Sequence, residues 1–226
     1  MRGWALLTLM MLGCSDLTEG PGGVVELEVR TPAVSEVEVG ETMQLLARAL
    51  DKDGNPTDVS ITWLSSDPAV IAVDNTGLVT GVAAGTAQVQ ASVGSLSSAQ
   101  IPLTAITRAD SLALVGDSVI IVPAGAPASA PLVVQLLSFT QAGPLTARPV
   151  IYTLSFPAPA AGTPVTLPGG VSIDTISTGT TGLDQSITVL RTGTPYLDTA
   201  FVTVRSYRAS GADVPGSGQR FIVLFQ

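Results

Sequence analysis

Three groups of residues in this chain have the types and spacing that chemistry needs. Asp51, Asp53, Asn55 and Asp58 are crowded into Asp51-Lys52-Asp53-Gly54-Asn55-Pro56-Thr57-Asp58, where oxygens at alternate positions would suit a calcium ion. Glu26 with Glu28, and Glu36 with Glu38, are i,i+2 carboxylate pairs. Carboxylates about 5–10 Å apart are the machinery of glycoside hydrolysis. Cys14 ends an apolar N-terminal stretch and is the only cysteine in the sequence.

Each group meets an obstacle. Counted from Asp51, the sixth position is Pro56 and the twelfth Thr62, where an EF-hand loop requires Gly and Glu, so an acidic solvated turn is the expectation. The glutamate pairs are expected on solvated outer strand faces, because no aromatic sugar platform accompanies them. With Trp63 assigned to a core, Tyr152, Tyr196 and Tyr207 are the rings left to stack on a sugar. The chain has no histidine, which removes His-based acid–base and nucleophile systems and His-ligated metals. Lys52, the only lysine, lies in a polar turn that would not depress its pKa. No catalytic residue, metal site or cofactor is expected.

Charge narrows the partners. The net charge is −8. Residues 24–104 hold ten acids against Arg30, Arg48 and Lys52, whereas residues 105–226 carry six charges of each sign. No basic patch exists for a phosphate backbone, so nucleic acid is excluded as a partner.

The elements that must position these residues are strands. Only 12% of residues are charged and helical periodicity is missing beyond the N-terminus. Within residues 24–104, Val25, Leu27 and Val29 alternate with Glu26, Glu28 and Arg30, and Met43, Leu45, Ala47 and Ala49 share a face opposite Gln44 and Arg48. Ile61 and Trp63 point inward. Ala87, Val89, Ala91 and Val93 alternate with Gln88, Gln90 and Ser92, and Ala99, Ile101 and Leu103 form a last strand. Short strands with turns at regular spacing predict a β-sandwich.

The ordered elements Val39-Gly40-Glu41, Gln44-Leu45, Asp53-Gly54, Thr62-Trp63, Ser65-Ser66, Val70-Ile71-Ala72-Val73, Thr76-Gly77-Leu78-Val79 and Gly85-Thr86-Ala87 resemble a bacterial immunoglobulin-like domain of group 2, the invasin and intimin type. The resemblance implies a spacer, adhesion or carbohydrate-recognition module with no catalytic set. It also implies that Trp63 fills the space between two sheets, so that packing replaces a disulfide.

Residues 105–226 read as a second sandwich. Ala105–Asp110 is a connector, and strands are predicted over 118–122, 132–140, 150–156, 171–176, 185–190, 200–207 and 219–225. Ala142-Gly143-Pro144 reads as a hairpin loop. Thr178 to Val189 and Leu197 to Val204 faintly resemble group 1 bacterial Ig-like domains.

The N-terminus has a charged start at Arg2 and an apolar run from Trp4 to Leu12, too short to span a bilayer, which needs roughly 20 residues. Met11-Leu12-Gly13-Cys14 resembles the bacterial lipobox, with Met11 where Leu is usual. That resemblance implies cleavage before Cys14 and its acylation. Ser15 rather than Asp follows the cysteine, which implies outer-membrane delivery.

The expectation is therefore an all-β protein with two Ig-like antiparallel β-sandwich domains in tandem. A lipoprotein-type signal peptide spans 1–13, a flexible tether 14–23, a group 2 Ig-like domain 24–104 and a second sandwich 105–226. The expected function is that of a non-catalytic, lipid-anchored bacterial cell-surface module, in the cell envelope at the outer membrane. It would bind a surface protein through loops or sheet faces; the alternative is a polysaccharide- or cell-wall-binding module.

Overall fold

The structure, a computed structural model, describes residues 21–139, 145–157, 165–179, 187–192 and 199–226. Cys14, Tyr196 and the Ala142-Gly143-Pro144 loop lie outside the described residues, as does part of the stretch with the group 1 resemblance. No α-helix occurs among the described residues, and the architecture is all-β.

Two separate hydrophobic cores organise the chain. The first is enclosed by β1 (Val24–Arg30), β2 (Glu36–Glu38), β3 (Thr42–Gln44), β4 (Leu46–Asp51), β5 (Pro56–Thr57), β6 (Thr62–Ser65), β7 (Ile71–Val73), β8 (Leu78–Gly81), β9 (Gly85–Val93), β10 (Leu96–Ser97) and β11 (Ile101–Ile106). These make sheets β1-β4-β5 and β3-β8-β7, and a third, β10-β9-β11-β2, which β6 joins by pairing with β9. The second core is enclosed by β12 (Ser111–Val115), β13 (Val119–Val122), β14 (Val133–Leu137), β15 (Pro149–Ser155), β16 (Val165–Thr166), β17 (Ile173–Ser177), β18 (Leu190–Arg191), β19 (Thr199–Arg205) and β20 (Arg220–Phe225). Its main sheet runs β13-β20-β19-β15-β17, with pairs β12-β14 and β16-β18 beside it. Among the described residues no sheet takes strands from both halves.

Trp63 lies in the first core as expected, 8% exposed. It explains Gly77. That glycine has φ +81°, and a Cβ there would stand 2.9 Å from the Trp63 ring and 2.8 Å from the Leu45 carbonyl oxygen. Leu45 marks the point where one extended segment changes sheets. β3 pairs with β8, β4 pairs with β1, and the fully buried Leu45 between them donates its N–H to the Gly77 carbonyl at 2.9 Å.

Several expectations are corrected. A register shift between Val24 and Glu26 turns Val24, rather than Val25, into the core: Val24 is 1% exposed and Val25 only partly buried. Just past the expected connector, Ser111–Val115 is a strand, with Leu112 buried against the second core. The sheets are not purely antiparallel. β2 runs parallel to β11 and β13 parallel to β20, so in each half an early short strand adds to the free edge of the last strand.

Candidate functional site: a buried charge cluster between the cores

Glu38 ends β2 and is completely buried, although its strand neighbour Glu36 is exposed. The expected solvated face for this pair is therefore wrong at Glu38, because residues of the second half cover it. Arg148 brings Nη2 to 2.8 Å from Glu38 Oε1, and Arg208 brings Nε to 3.9 Å from Oε2. The backbone N–H of Ala109 donates to Glu38 Oε2 at 3.3 Å.

Each partner is held by its own local structure. Arg148 immediately precedes β15. Its N–H donates to Thr178 Oγ1 at 2.9 Å, its carbonyl accepts the Thr178 N–H at 2.8 Å, and its Nη2 also donates to the Thr107 carbonyl at 2.5 Å. The Thr178 hydroxyl donates to the Leu145 carbonyl. Ala147, with φ +57°, supplies the left-handed turn that aims Arg148 inward. Arg208 opens the turn after β19, where the Gly211 N–H donates to its carbonyl at 2.9 Å. Its Nη1 lies 2.9 Å from Glu41 Oε1, and its Nε donates to the Ala109 carbonyl at 3.1 Å. Two carboxylates of the first half thus meet two guanidiniums of the second.

Burial raises the Glu38 pKa above its ordinary 4.5, opposed by the Arg148 charge and the Ala109 N–H. Beside the cluster, Asp110 is also partly desolvated. The Phe139 N–H at 2.7 Å and Arg108 Nε at 2.6 Å together outweigh that burial and hold it below 3.8. Glu38 of the first half is thus ringed by Arg148, Arg208 and the Ala109 N–H of the second, its Oε1 held by the nearby Arg148 charge without a well-aligned hydrogen bond. An open cleft of about 380 Å³ lies alongside, lined among others by Glu36, Thr107, Leu145 and Arg148.

The other sequence-predicted residues are not brought together. Asp51 Oδ1 accepts the N–H groups of Asp53 and Asn55, both at 2.9 Å, and those bonds lower its pKa. Its oxygen caps its own turn, and Asp74 does the same for Thr76 and Leu78. Glu26 and Glu28 are exposed as expected, and Glu28 pairs with Arg48 at 2.7 Å. Lys52 is largely exposed. Tyr152 is fully buried in the second core, so it offers no sugar platform; Tyr207 is 37% exposed. Sequence reasoning missed the Glu38 cluster. Its one visible signal is a glutamate between Val37 and Val39 in a strand whose neighbours are apolar.

Residues 29–103 match the family described as bacterial Ig-like domain (group 2). Lacto-N-biosidase of Bifidobacterium bifidum is 43% identical over 65 residues, covering 29% of this chain and 6% of that protein. Ice-binding protein 1 of Shewanella frigidimarina is 36% identical over 69 residues, covering 30% of this chain and 8% of that protein. The chain thus spans under a tenth of either curated relative. Among solved structures, the Yersinia pseudotuberculosis adhesin InvE aligns over 92% of this chain and 61% of its own, at 16% identity and a TM-score of 0.42.

Proposed function

We propose, from the premise that residues 29–103 are a bacterial Ig-like domain of group 2, that this chain is a non-catalytic spacer and adhesion module of a bacterial cell surface. Residues 24–104 and 105–226 act as two sandwich domains in tandem, held to the outer membrane by acyl chains on Cys14 after removal of 1–13, with 14–23 as the tether. Acyl chains contribute about 0.8 kcal/mol per buried CH₂, enough together to retain a soluble domain at a bilayer.

The observation that carries the reading is the Glu38 cluster. Its charged groups tie one sandwich to the other, which is what a stiff spacer needs. The polysaccharide alternative is weakened by the burial of Trp63 and Tyr152. The intact mass of the membrane-extracted protein tests the anchor: a chain beginning at acylated Cys14 supports it, and an unmodified chain beginning at Met1 overturns it. Saturable binding on a glycan array would favour the polysaccharide reading over protein adhesion, and turnover on a hydrolase panel would overturn the non-catalytic one.

A further inference from the structure

Both halves close in the same way. Among the described residues, the first strand of each pairs antiparallel with a strand of another sheet, β1 with β4 and β12 with β14. The short strand that follows, β2 or β13, lies parallel to the last strand of its half, β11 or β20. In the first half Glu36, Val37 and Glu38 are registered with Thr104, Ala105 and Ile106. The Thr104 N–H donates to the Ser35 carbonyl at one end of this ladder and the Val39 N–H to the Ile106 carbonyl at the other, both at 2.9 Å. In the second half Val119 to Val122 are registered with Ile222 to Phe225. There the Ile222 N–H donates to the Ser118 carbonyl at 2.7 Å and the Gln226 N–H to the Val122 carbonyl at 3.0 Å. Val37, Ala105, Val122, Val223 and Phe225 are buried, so the core shields one face of each ladder from water.

Strand direction decides what such a pairing does under tension. Where the strands entering and leaving a domain are antiparallel, a pull along the chain loads both at the same end, and their bonds open one at a time. Where they are parallel, the entering strand is drawn by its N-terminal end and the leaving strand by its C-terminal end. Those are opposite ends of the ladder, so its bonds are strained together and must break together. Forced unfolding is governed by the barrier to that step and not by equilibrium stability.

The connection between the halves is braced as well. Thr107 to Asp110 lead from β11 to β12. Arg148 Nη2 donates to the Thr107 carbonyl at 2.5 Å and Arg208 Nε to the Ala109 carbonyl at 3.1 Å. The Ala109 N–H donates to Glu38, on β2 itself, at 3.3 Å. Tension leaving β11 therefore passes through a connector bonded to both halves, and not through a slack linker.

We infer that the parallel pairs β2–β11 and β13–β20 are the load-bearing joints of the chain, two shear clamps in series that let each half resist stretching until its own clamp ruptures as a unit. β1 and β12 lie ahead of the clamps and pass the load to them as they yield. A spacer at a surface is pulled, so the clamps rest on the spacer reading for their use in the cell; their mechanics do not depend on the anchor.

Single-molecule force spectroscopy of the full chain carrying Cys14→Ser, with a handle at each terminus, reads the rupture of each half, the two told apart by the length of chain released. A second geometry places the handles on Asp117→Cys and Gln219→Cys, beside the N-terminal ends of β13 and β20, so that the same ladder is peeled from one end. End-to-end rupture of the second half should need at least about twice the peeling force, since the bonds yield together in one geometry and singly in the other. That comparison requires no change within a ladder. In the end-to-end geometry, Val39→Pro and Gln226→Pro each delete one ladder N–H and should speed rupture of their own half at constant force by about 5-fold. Asp74→Ala removes the acceptor for the Thr76 and Leu78 N–H groups in a turn away from the clamp. It should lower the urea midpoint yet leave the rupture rate of the first half within about 2-fold, because that turn is still formed when the clamp breaks. Equal rupture forces in the two geometries would overturn the inference, and so would proline variants that rupture no faster than Asp74→Ala. The intact mass decides the anchor separately: a chain without acyl groups that ruptures as expected would refute the lipid-anchored reading and retain the clamps.

Discussion

Removing the Glu38 carboxylate should unfasten the two halves. Among the described residues Glu38 is the carboxylate that Arg148 pairs with, and the Arg148 side chain is only 11% exposed. In Glu38→Ala the guanidinium keeps the Thr107 carbonyl but no counter-charge, while Arg208 keeps Glu41 at 2.9 Å. Breaking a buried pair by deleting one partner costs about 3–5 kcal/mol. Because Arg208 is still paired and Arg148 is not wholly sealed from water, the low end applies, about 3 kcal/mol. Glu38→Gln retains an oxygen for the Ala109 N–H and should cost about 2 kcal/mol. With a urea m-value of about 2–3 kcal/mol/M, Glu38→Ala lowers the unfolding midpoint by roughly 1 M. The double variant Glu38→Leu with Arg148→Met removes both charges together and should lie within about 1 kcal/mol of the parent, giving a coupling of about 2 kcal/mol or more. The assay is urea unfolding at neutral pH for the parent, Glu38→Ala, Glu38→Leu, Arg148→Met and the Glu38→Leu/Arg148→Met double variant. If Glu38→Ala shifts the midpoint by less than about 0.2 M, or the two losses simply add, the cluster does not hold the halves together and the reasoning fails.

Other outcomes follow from the same structure. Trp63→Ala should cost about 3–5 kcal/mol by emptying the first core, measurable as a fall in the melting temperature of that half. Gly77→Ala should cost about 2 kcal/mol or more, since it combines a φ of +81° with close contacts to Leu45 and Trp63; an unchanged melting temperature would contradict the geometry. The Glu38 pKa is raised above 4.5, so the cost of holding it ionised is present at neutral pH and is relieved as pH falls through its folded value. Asp51, Asp74 and Asp110 are lowered from 3.8, so the stability they contribute is complete above 3.8 and is lost as pH falls through their folded values. Chemical unfolding against pH should therefore peak in the mildly acidic range, above 3.8, and Glu38→Gln should flatten the side of the curve nearer neutrality.

Local pattern carried much of the fold. The alternation of Ala87, Val89, Ala91 and Val93 with polar residues fixed which face of β9 is buried, because side chains on a strand alternate strictly. Trp63 was legible because a large ring in a short strand has few other places to go. The bulge near Val24 was not, since Val24 and Val25 are equally apolar and only pairing with β4 decides between them. Nor was Ser111–Val115, in which only Leu112 is fully buried while Val115, equally apolar, is exposed. Tyr152 illustrates the limit for sites: an aromatic is a platform or a core residue according to the face its strand presents.

By itself the sequence determined the all-β class, the group 2 Ig-like segment and the want of histidine chemistry, because residue inventory and strand alternation are local properties. Tertiary structure alone decided that Glu38, one of ten acids in an acidic half, leaves water to meet Arg148 and Arg208. Those partners lie more than a hundred residues away in the chain. A charge is worth burying only where distant backbone turns deliver its counter-charges, and no local pattern records that meeting.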